Sequence, residues 1–211
     1  VAVVDIGSGT SDVAVISSGV MRYAQVVPIG GSHITRDIAI GLRTPDYQAE
    51  RIKKEHGYAL ASRLTGQQNI EVPSVGGREP RILSRQILAE IIQPRLEEIL
   101  TMIRRSIQKS GMEDLLPAGV VLTGGASIIE GIEDLAESVL QLPVRRGSPS
   151  GIGGLVDMVN QPLYSTAVGL VMYAAENGVR EQKNWFSSSF INGNSGGLTL
   201  KIKDAFNSIF K

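Results

Sequence analysis

The chain has 211 residues, with 21 basic and 21 acidic side chains and no cysteine. Its balanced charge offers no field for nucleic acid, and without cysteine a disulfide scaffold and thiolate chemistry are excluded; the two histidines, His33 and His56, fall outside any metal-ligand spacing. No apolar run approaches the ~20 residues needed to cross a bilayer and no signal peptide precedes the first strand, so a reducing, cytoplasmic setting is expected.

The chain opens on valine inside an apolar run, which reads as the C-terminal part of a longer protein. That run, Val1 to Val4, enters Asp5 and a glycine-rich turn, Gly7-Ser8-Gly9-Thr10, and a second run, Val13 to Ile16, leaves it. The pattern predicts a tight β-hairpin whose turn offers backbone N–H groups to a phosphate chain. Asp5, at the mouth of the turn, is placed to hold Mg²⁺ through water. Met21 to Pro28 supplies a third strand after a turn at Gly19, giving an antiparallel meander.

Gly30-Gly31-Ser32 then reads as a turn and helix cap, with apolar residues at Ile34, Ile38 and Leu42 in helical spacing. Thr44-Pro45-Asp46 opens a second helix that Gly57 closes, carrying Glu50-Arg51-Ile52-Lys53-Lys54-Glu55. Gln67 to Leu83 holds two short strands around Gly76-Gly77. Ser84 caps a long helix with an apolar stripe of Leu88, Ile92, Leu96, Ile99, Ile103 and Ile107, and with Ile87 and Ile91 beside it. Pro94 kinks this helix without ending it, because the periodicity runs through; Gly111 stops it.

Gly119 to Ser127 reads as a buried strand, a Gly124-Gly125 turn and a helix beginning near Ile128. Two glycines there admit a flat ligand against the backbone, and a plain strand–turn–helix is the alternative. Val144 to Arg146 is a short strand, and Pro162 opens an apolar helix that ends near Asn177-Gly178.

From Val179 to Gly197 serine, asparagine and glycine accumulate, as in a flexible tether. On a helix at ~100° per residue, Leu198, Ile202, Ala205, Phe206, Ile209 and Phe210 share an arc of roughly 140°, flanked by Lys201 and Lys203. An aromatic apolar face edged with lysine describes a helix lying in an anionic membrane surface; a helix docked on its own domain is the alternative.

The order of these pieces resembles the actin, sugar-kinase and DnaK-chaperone ATPase superfamily. The carrying features are the Asp5-x-Gly7-x-Gly9-Thr10-x-Asp12 hairpin, a helix with Glu50 and Lys53 three apart, and the Leu122-Thr123-Gly124-Gly125-Ala126 turn. Within it, the stretches Val4 to Thr10, Ala49 to Lys53, Ile91 to Leu100, Gly119 to Gly131 and Tyr164 to Leu170 resemble the bacterial cell-division family FtsA. Ser8 departs from that family's usual glycine, which is tolerable if its backbone is not left-handed.

The resemblance implies an α/β, actin-like (ribonuclease H-like) ATPase subdomain formed by residues 1–30 and 86–178. A smaller inserted α/β subdomain would span 31–85, a linker 179–197 and a membrane-targeting amphipathic helix 198–211. It implies ATP and Mg²⁺ as cofactors. Gly7, Ser8, Gly9 and Thr10 would form a phosphate loop, with Asp5 near the metal and the attacking water. Glu50 and Lys53 would reach ribose and adenine; an exposed ion pair is the plainer reading of those two. Gly124, Gly125 and Ala126 would line the adenosine, with Ile128 against a base face.

The implied role is a peripheral scaffold at the division site, on the cytoplasmic face of the membrane. It would self-associate into filaments, tether FtsZ through that protein's C-terminal peptide and recruit later division proteins, with little or no ATPase turnover. Arg81, Arg85 and Arg95 are candidate contacts for the acidic FtsZ peptide, a solvated surface being the alternative. The rival functions are a related pilus-assembly scaffold and a small-molecule kinase of the same superfamily.

Overall fold

The computed structural model describes residues 1–65, 68–74, 76, 78–151 and 159–185, with side chains of the last helix as far as residue 176. The segment 198–211, with Leu198, Lys201, Ile202, Lys203, Phe206, Ile209 and Phe210, lies outside the described residues, as does most of the expected linker.

A five-stranded sheet forms the centre, in the order β3-β2-β1-β6-β7. β1 (Ala2–Ile6), β2 (Ser11–Ser17) and β3 (Val20–Val27) make the expected meander. The two-residue link between β2 and β3 is Ser18-Gly19, both at positive φ (52° and 75°), the backbone of a turn that matches strand twist. β6 (Val120–Thr123) pairs parallel to β1, and β7 (Val144–Arg146) parallel to β6. Ala2, Val4 and Ile6 alternate into the core fully buried, whereas all four residues of β6 are buried. A strand covered on both faces reads as a continuous apolar run.

One face of the sheet is covered by α3 (Arg85–Lys109), which packs against β2, β3 and α4 (Ile132–Leu140). Ser84 caps α3 as expected, its hydroxyl accepting from the Gln86 N–H at 3.2 Å, and the helix continues through Pro94. Its buried stripe is Leu88, Ile92, Leu96, Ile99, Ile103 and Ile107. Ile87 is not part of it: one residue before Leu88 it is turned ~100° away and stands 41% exposed. Ile91 is half-buried against Gly41, where a Cβ would come within 2.8 Å of its Cδ1.

Residues 31–85 supply α1 (Gly31–Leu42), α2 (Asp46–His56) and the antiparallel pair β4 (Asn69–Val72) and β5 (Arg81–Ser84). Ile34, Ile38, Leu42, Ile52, Ile70 and Val72 from this segment join the same apolar core as the central strands.

Two boundaries differ from the sequence reading. The helix expected from Ile128 begins at Ile132; Gly125–Ile128 form a single 3₁₀ turn. Ile129 is extended and Gly131 is left-handed (φ 79°), so the chain turns once more before α4 starts. The last helix, α5 (Ser165–Trp185), follows a 3₁₀ turn at Pro162–Tyr164 and runs past Asn177-Gly178. A single glycine costs a helix only about 1 kcal/mol, and the residues after it, Arg180-Glu181-Gln182-Lys183, are good helix formers. Residues 1–170 form one compact unit.

Leu96 is fully buried and Ile87 is not. Leu96→Ala is therefore expected to cost about 2–5 kcal/mol of stability and Ile87→Ala less than about 1 kcal/mol, read from urea unfolding midpoints at constant slope.

Candidate functional site

β1 and β6 lie side by side and parallel, so both deliver their C-terminal ends to the same edge of the sheet. The loop Gly7–Thr10 leaves β1 there and the turn Gly124–Ala126 leaves β6. Between them and α2 is a cavity of about 520 Å³, whose lining includes Gly7, Ser8, Glu50, Lys53, Gly125 and Ile128. That volume is typical of small-ligand and cofactor pockets.

The loop is tied at its base and open at its tip. Gly7 N–H donates to Thr10 O at 2.9 Å, while Gly7 O and Ser8 O accept from the N–H groups of Gly31 and Ser32 at 2.9 and 2.8 Å. Gly30 is the close-packed glycine here: a Cβ would sit 2.6 Å from Gly7 O. The N–H groups of Ser8, Gly9 and Thr10 make no hydrogen bond among the described residues, which leaves three donors at the tip. Ser8 does not have positive φ, so the hydroxyl residue is accommodated without strain.

Asp5 and Asp12 are direct cross-strand partners on β1 and β2. Opposed carboxylates repel, and a cation between them removes that cost. Asp5 Oδ2 also accepts from the Thr166 hydroxyl at the start of α5, and Asp12 accepts a long 3.5 Å contact from Thr10. Mg²⁺ characteristically takes one or two carboxylates and completes its shell with water and phosphate. Among the described residues no group of three or more acidic or histidine side chains is gathered to hold a metal by protein ligands alone.

On the opposite wall, Gly124 has φ 86°, and a Cβ would come within 2.2 Å of Asp5 Oδ1 and 2.6 Å of Ile6 O. Glycine is thus required where the second turn crosses β1. Gly125 differs: a Cβ there would meet nothing within 4 Å, so its open side faces the cavity. Ala126 is buried and Ile128 stands 44% exposed in the lining.

Glu50 and Lys53 are a half-buried network and not a solvated pair. Lys53 is 8% exposed, and its Nζ donates to Gly31 O (2.9 Å), Thr35 Oγ1 (2.8 Å) and Glu50 Oε2 (2.7 Å). Thr35 in turn donates to Glu50, whose second oxygen lies 3.3 Å from Lys54 Nζ. Burial pushes the Lys53 ammonium below its ordinary 10.5, against the pull of Glu50. Burial raises Glu50, but hydrogen bonds from Lys53 and Thr35 outweigh it and hold the carboxyl below 4.5. Because Lys53 holds Gly31, and Gly31 holds Gly7, the network reaches the loop through two hydrogen bonds.

The three arginines read as partner contacts have intramolecular acceptors. Arg81 donates to Leu42 O, and Arg95 forms a forked pair with Asp37 (2.6 and 3.1 Å) and a contact with Glu98. Arg85 lies in the cavity wall.

A family model described as cell division protein FtsA matches residues 2–169. The chain belongs to the FtsA family. It is 48% identical over 195 residues to the cell division protein FtsA of Pseudomonas aeruginosa, covering 92% of this chain and 46% of that protein. It spans about half the length of the curated FtsA relatives it matches. Its fold is actin-like: the structure of MreB5 of Spiroplasma citri bound to ADP superposes with a TM-score of 0.66 at 19% identity, over 87% of this chain and 55% of that one. A chain of the PilM–PilN type IV pilus biogenesis complex matches with a TM-score of 0.60 at 18% identity, over 82% of this chain and 45% of that one, a likeness of fold alone.

In this FtsA-family chain the sheet edge gathers Asp5, Gly7, Ser8, Gly9, Thr10, Glu50, Lys53, Gly124, Gly125, Ala126 and Ile128 around one region, and sets Arg81 and Arg95 outside the cavity lining. Asp12, which closes the hairpin motif, is set opposite Asp5 by the four-residue loop after Ile6; Thr35, Lys54 and Glu130 were not singled out in the sequence. Thr35 and Glu130 carried no signal, because their partners lie 15 and 45 residues away in sequence.

Glu50 has a depressed folded-state value, so its stabilising contribution is complete above about pH 4.5 and is lost as pH falls through the lower folded value. Acid titration of stability should therefore show a component below about pH 4.5 that Glu50→Gln removes, with the unfolding midpoint at neutral pH lowered and its acid slope flattened.

Proposed function

We propose that this chain forms one wall of an ATP·Mg²⁺ site in an actin-like scaffold of the division machinery. The observation that carries the reading is the shared sheet edge, which brings a loop with three N–H groups unpartnered among the described residues to the same end as a glycine turn with open space above Gly125. Ser8, Gly9 and Thr10 would donate to phosphate oxygens, and Asp5 with Asp12 would hold the metal. Gly125, Ala126 and Ile128 would border the sugar and base, while Glu50 and Lys54 offer an acceptor and a cation between the two ends. The metal supplies neutralisation of phosphate charge. Lys53 fixes α1 and the loop from behind. The chain spans about half the length of its curated relatives, and in a protein of their length the remaining wall would come from the other half, so affinity of this chain alone is expected to be weak.

In this reading nucleotide acts as a switch for self-association into filaments, with little or no turnover. Filaments would hold FtsZ at the cytoplasmic membrane face and recruit later division proteins. The amphipathic pattern of 198–211 supports reversible attachment to anionic lipid, and multiple linked copies would make it durable. Arg81, exposed on β5, is the basic residue best placed to meet the FtsZ peptide, since Arg85 and Arg95 are more fully engaged by the fold.

Gly125→Ala places a Cβ in the open space without meeting any protein atom within 4 Å, so it is expected to lower MgATP affinity by about tenfold, roughly 1.4 kcal/mol, with an unchanged unfolding midpoint. Titration calorimetry on the full-length protein measures it, and equal affinity would remove the nucleotide reading. For the membrane, the chain with residues 198–211 should co-sediment with anionic vesicles and the chain without them should not. If both forms sediment alike, the tether is not this segment.

A further inference from the structure

The cavity lining runs from the loop at Gly7 and Ser8, past Glu50, Lys53 and Lys54 on α2, to Gly57, Arg85 and Glu130. Along α2 the step from Glu50 to Gly57 is ~10 Å, enough to separate a phosphate end from a base end. Arg85 occupies the second end. Its side chain is 17% exposed and each nitrogen of the guanidinium is used: Nε donates to His56 O at 2.8 Å, Nη1 to Gln68 Oε1 at 2.9 Å and Nη2 to Glu130 Oε2 at 2.7 Å. The same group lies 5.4 Å from the centre of the Tyr58 ring.

These contacts join two stretches that approach from different parts of the chain. One is the end of α2 with β4 and β5; the other is the segment between the Gly124 turn and α4. Ala59 N–H donates to Glu130 O at 2.9 Å, and Gly131, at φ 79°, lies under Tyr58 so closely that a Cβ would be 3.2 Å from the ring. The backbone ties align the two stretches, and the Arg85–Glu130 pair closes them across the cavity wall. A planar guanidinium with its donors directed at three acceptors resists rotation in a way a lysine cannot.

We propose that Arg85 and Glu130 form a clamp that sets the shape of the base end of the cavity. Arg85 is a positioning residue, each of its three side-chain nitrogens bonded to protein, and Glu130 presents its 65% exposed carboxylate at the rim. The inference rests on the nucleotide reading above. Unlike the loop, the clamp contributes to binding of the nucleoside part and leaves phosphate recognition alone.

The test is competition against a fluorescent ATP analogue on the full-length protein, using ATP, ADP, AMP and tripolyphosphate. Glu130→Ala removes the pair and keeps the backbone ties, so the fold is retained. It should weaken ATP, ADP and AMP by a similar factor, about two- to fivefold, leave tripolyphosphate unchanged and hold the unfolding midpoint. Glu130→Gln, which keeps an acceptor, should recover part of the loss, and Arg85→Lys should not add to Glu130→Ala if the two act as one unit. Unchanged nucleotide affinity in Glu130→Ala, or an equal loss for tripolyphosphate, overturns the clamp while leaving the nucleotide site standing. If the unmodified protein binds tripolyphosphate and no nucleotide, or binds nothing, the nucleotide reading itself falls.

Discussion

The candidate site depends on the parallel pairing of β1 with β6, from Ala2 opposite Val120 to Asp5 opposite Thr123. Parallel neighbours end at the same edge, so the loop after Ile6 and the turn after Thr123 come together although more than a hundred residues of chain lie between them. Crossing at that edge is close enough to require glycine: any side chain at Gly124 would collide with the Asp5 carboxylate and Ile6 carbonyl. The pairing is in turn held by burial, since Ala2, Val4, Ile6, Val120 and Leu122 are fully buried. Moving a strand by one residue would turn these side chains outward and bring acidic Asp5 into the core.

The second constraint is the buried ammonium of Lys53. A lysine out of water is costly unless each donor is matched, and here Gly31 O, Thr35 Oγ1 and Glu50 Oε2 take all three. This ties α2 to the N-terminus of α1 where α1 holds the phosphate-type loop. The charge is therefore structural in its contacts, and the exposed cation of the cavity is its neighbour, Lys54. Glu50 faces both ways, with one oxygen inside the network and one toward Lys54.

Arginine is used similarly elsewhere. Arg95 fixes α1 to α3 through Asp37, Arg81 reaches the Leu42 carbonyl at the end of α1, and Arg85 joins the end of α2, Gln68 before β4 and the segment before α4. In each case the guanidinium meets carboxylate, amide or carbonyl acceptors from segments distant in sequence.

By itself the sequence determined the local elements. The alternation in β1, the turn at Gly19, the Ser84 cap and the 3–4 spacing from Leu88 to Ile107 all follow from interactions within a few residues, and so were legible. The glycine turns were legible as candidate ligand contacts, while the Glu50–Lys53 spacing alone read as an exposed ion pair and only the family resemblance tied it to a nucleotide cleft. Tertiary structure decided what no local rule could: that Ile87 faces solvent, that the helix after Gly125 waits until Ile132, that Lys53 is buried while Lys54 faces the cavity, and that Arg85 belongs to the cavity wall. These outcomes depend on pairs such as Gly31 with Gly7, Thr35 with Glu50 and Arg85 with Glu130. Their energies arise only when distant segments meet, so no pattern along the chain encodes them.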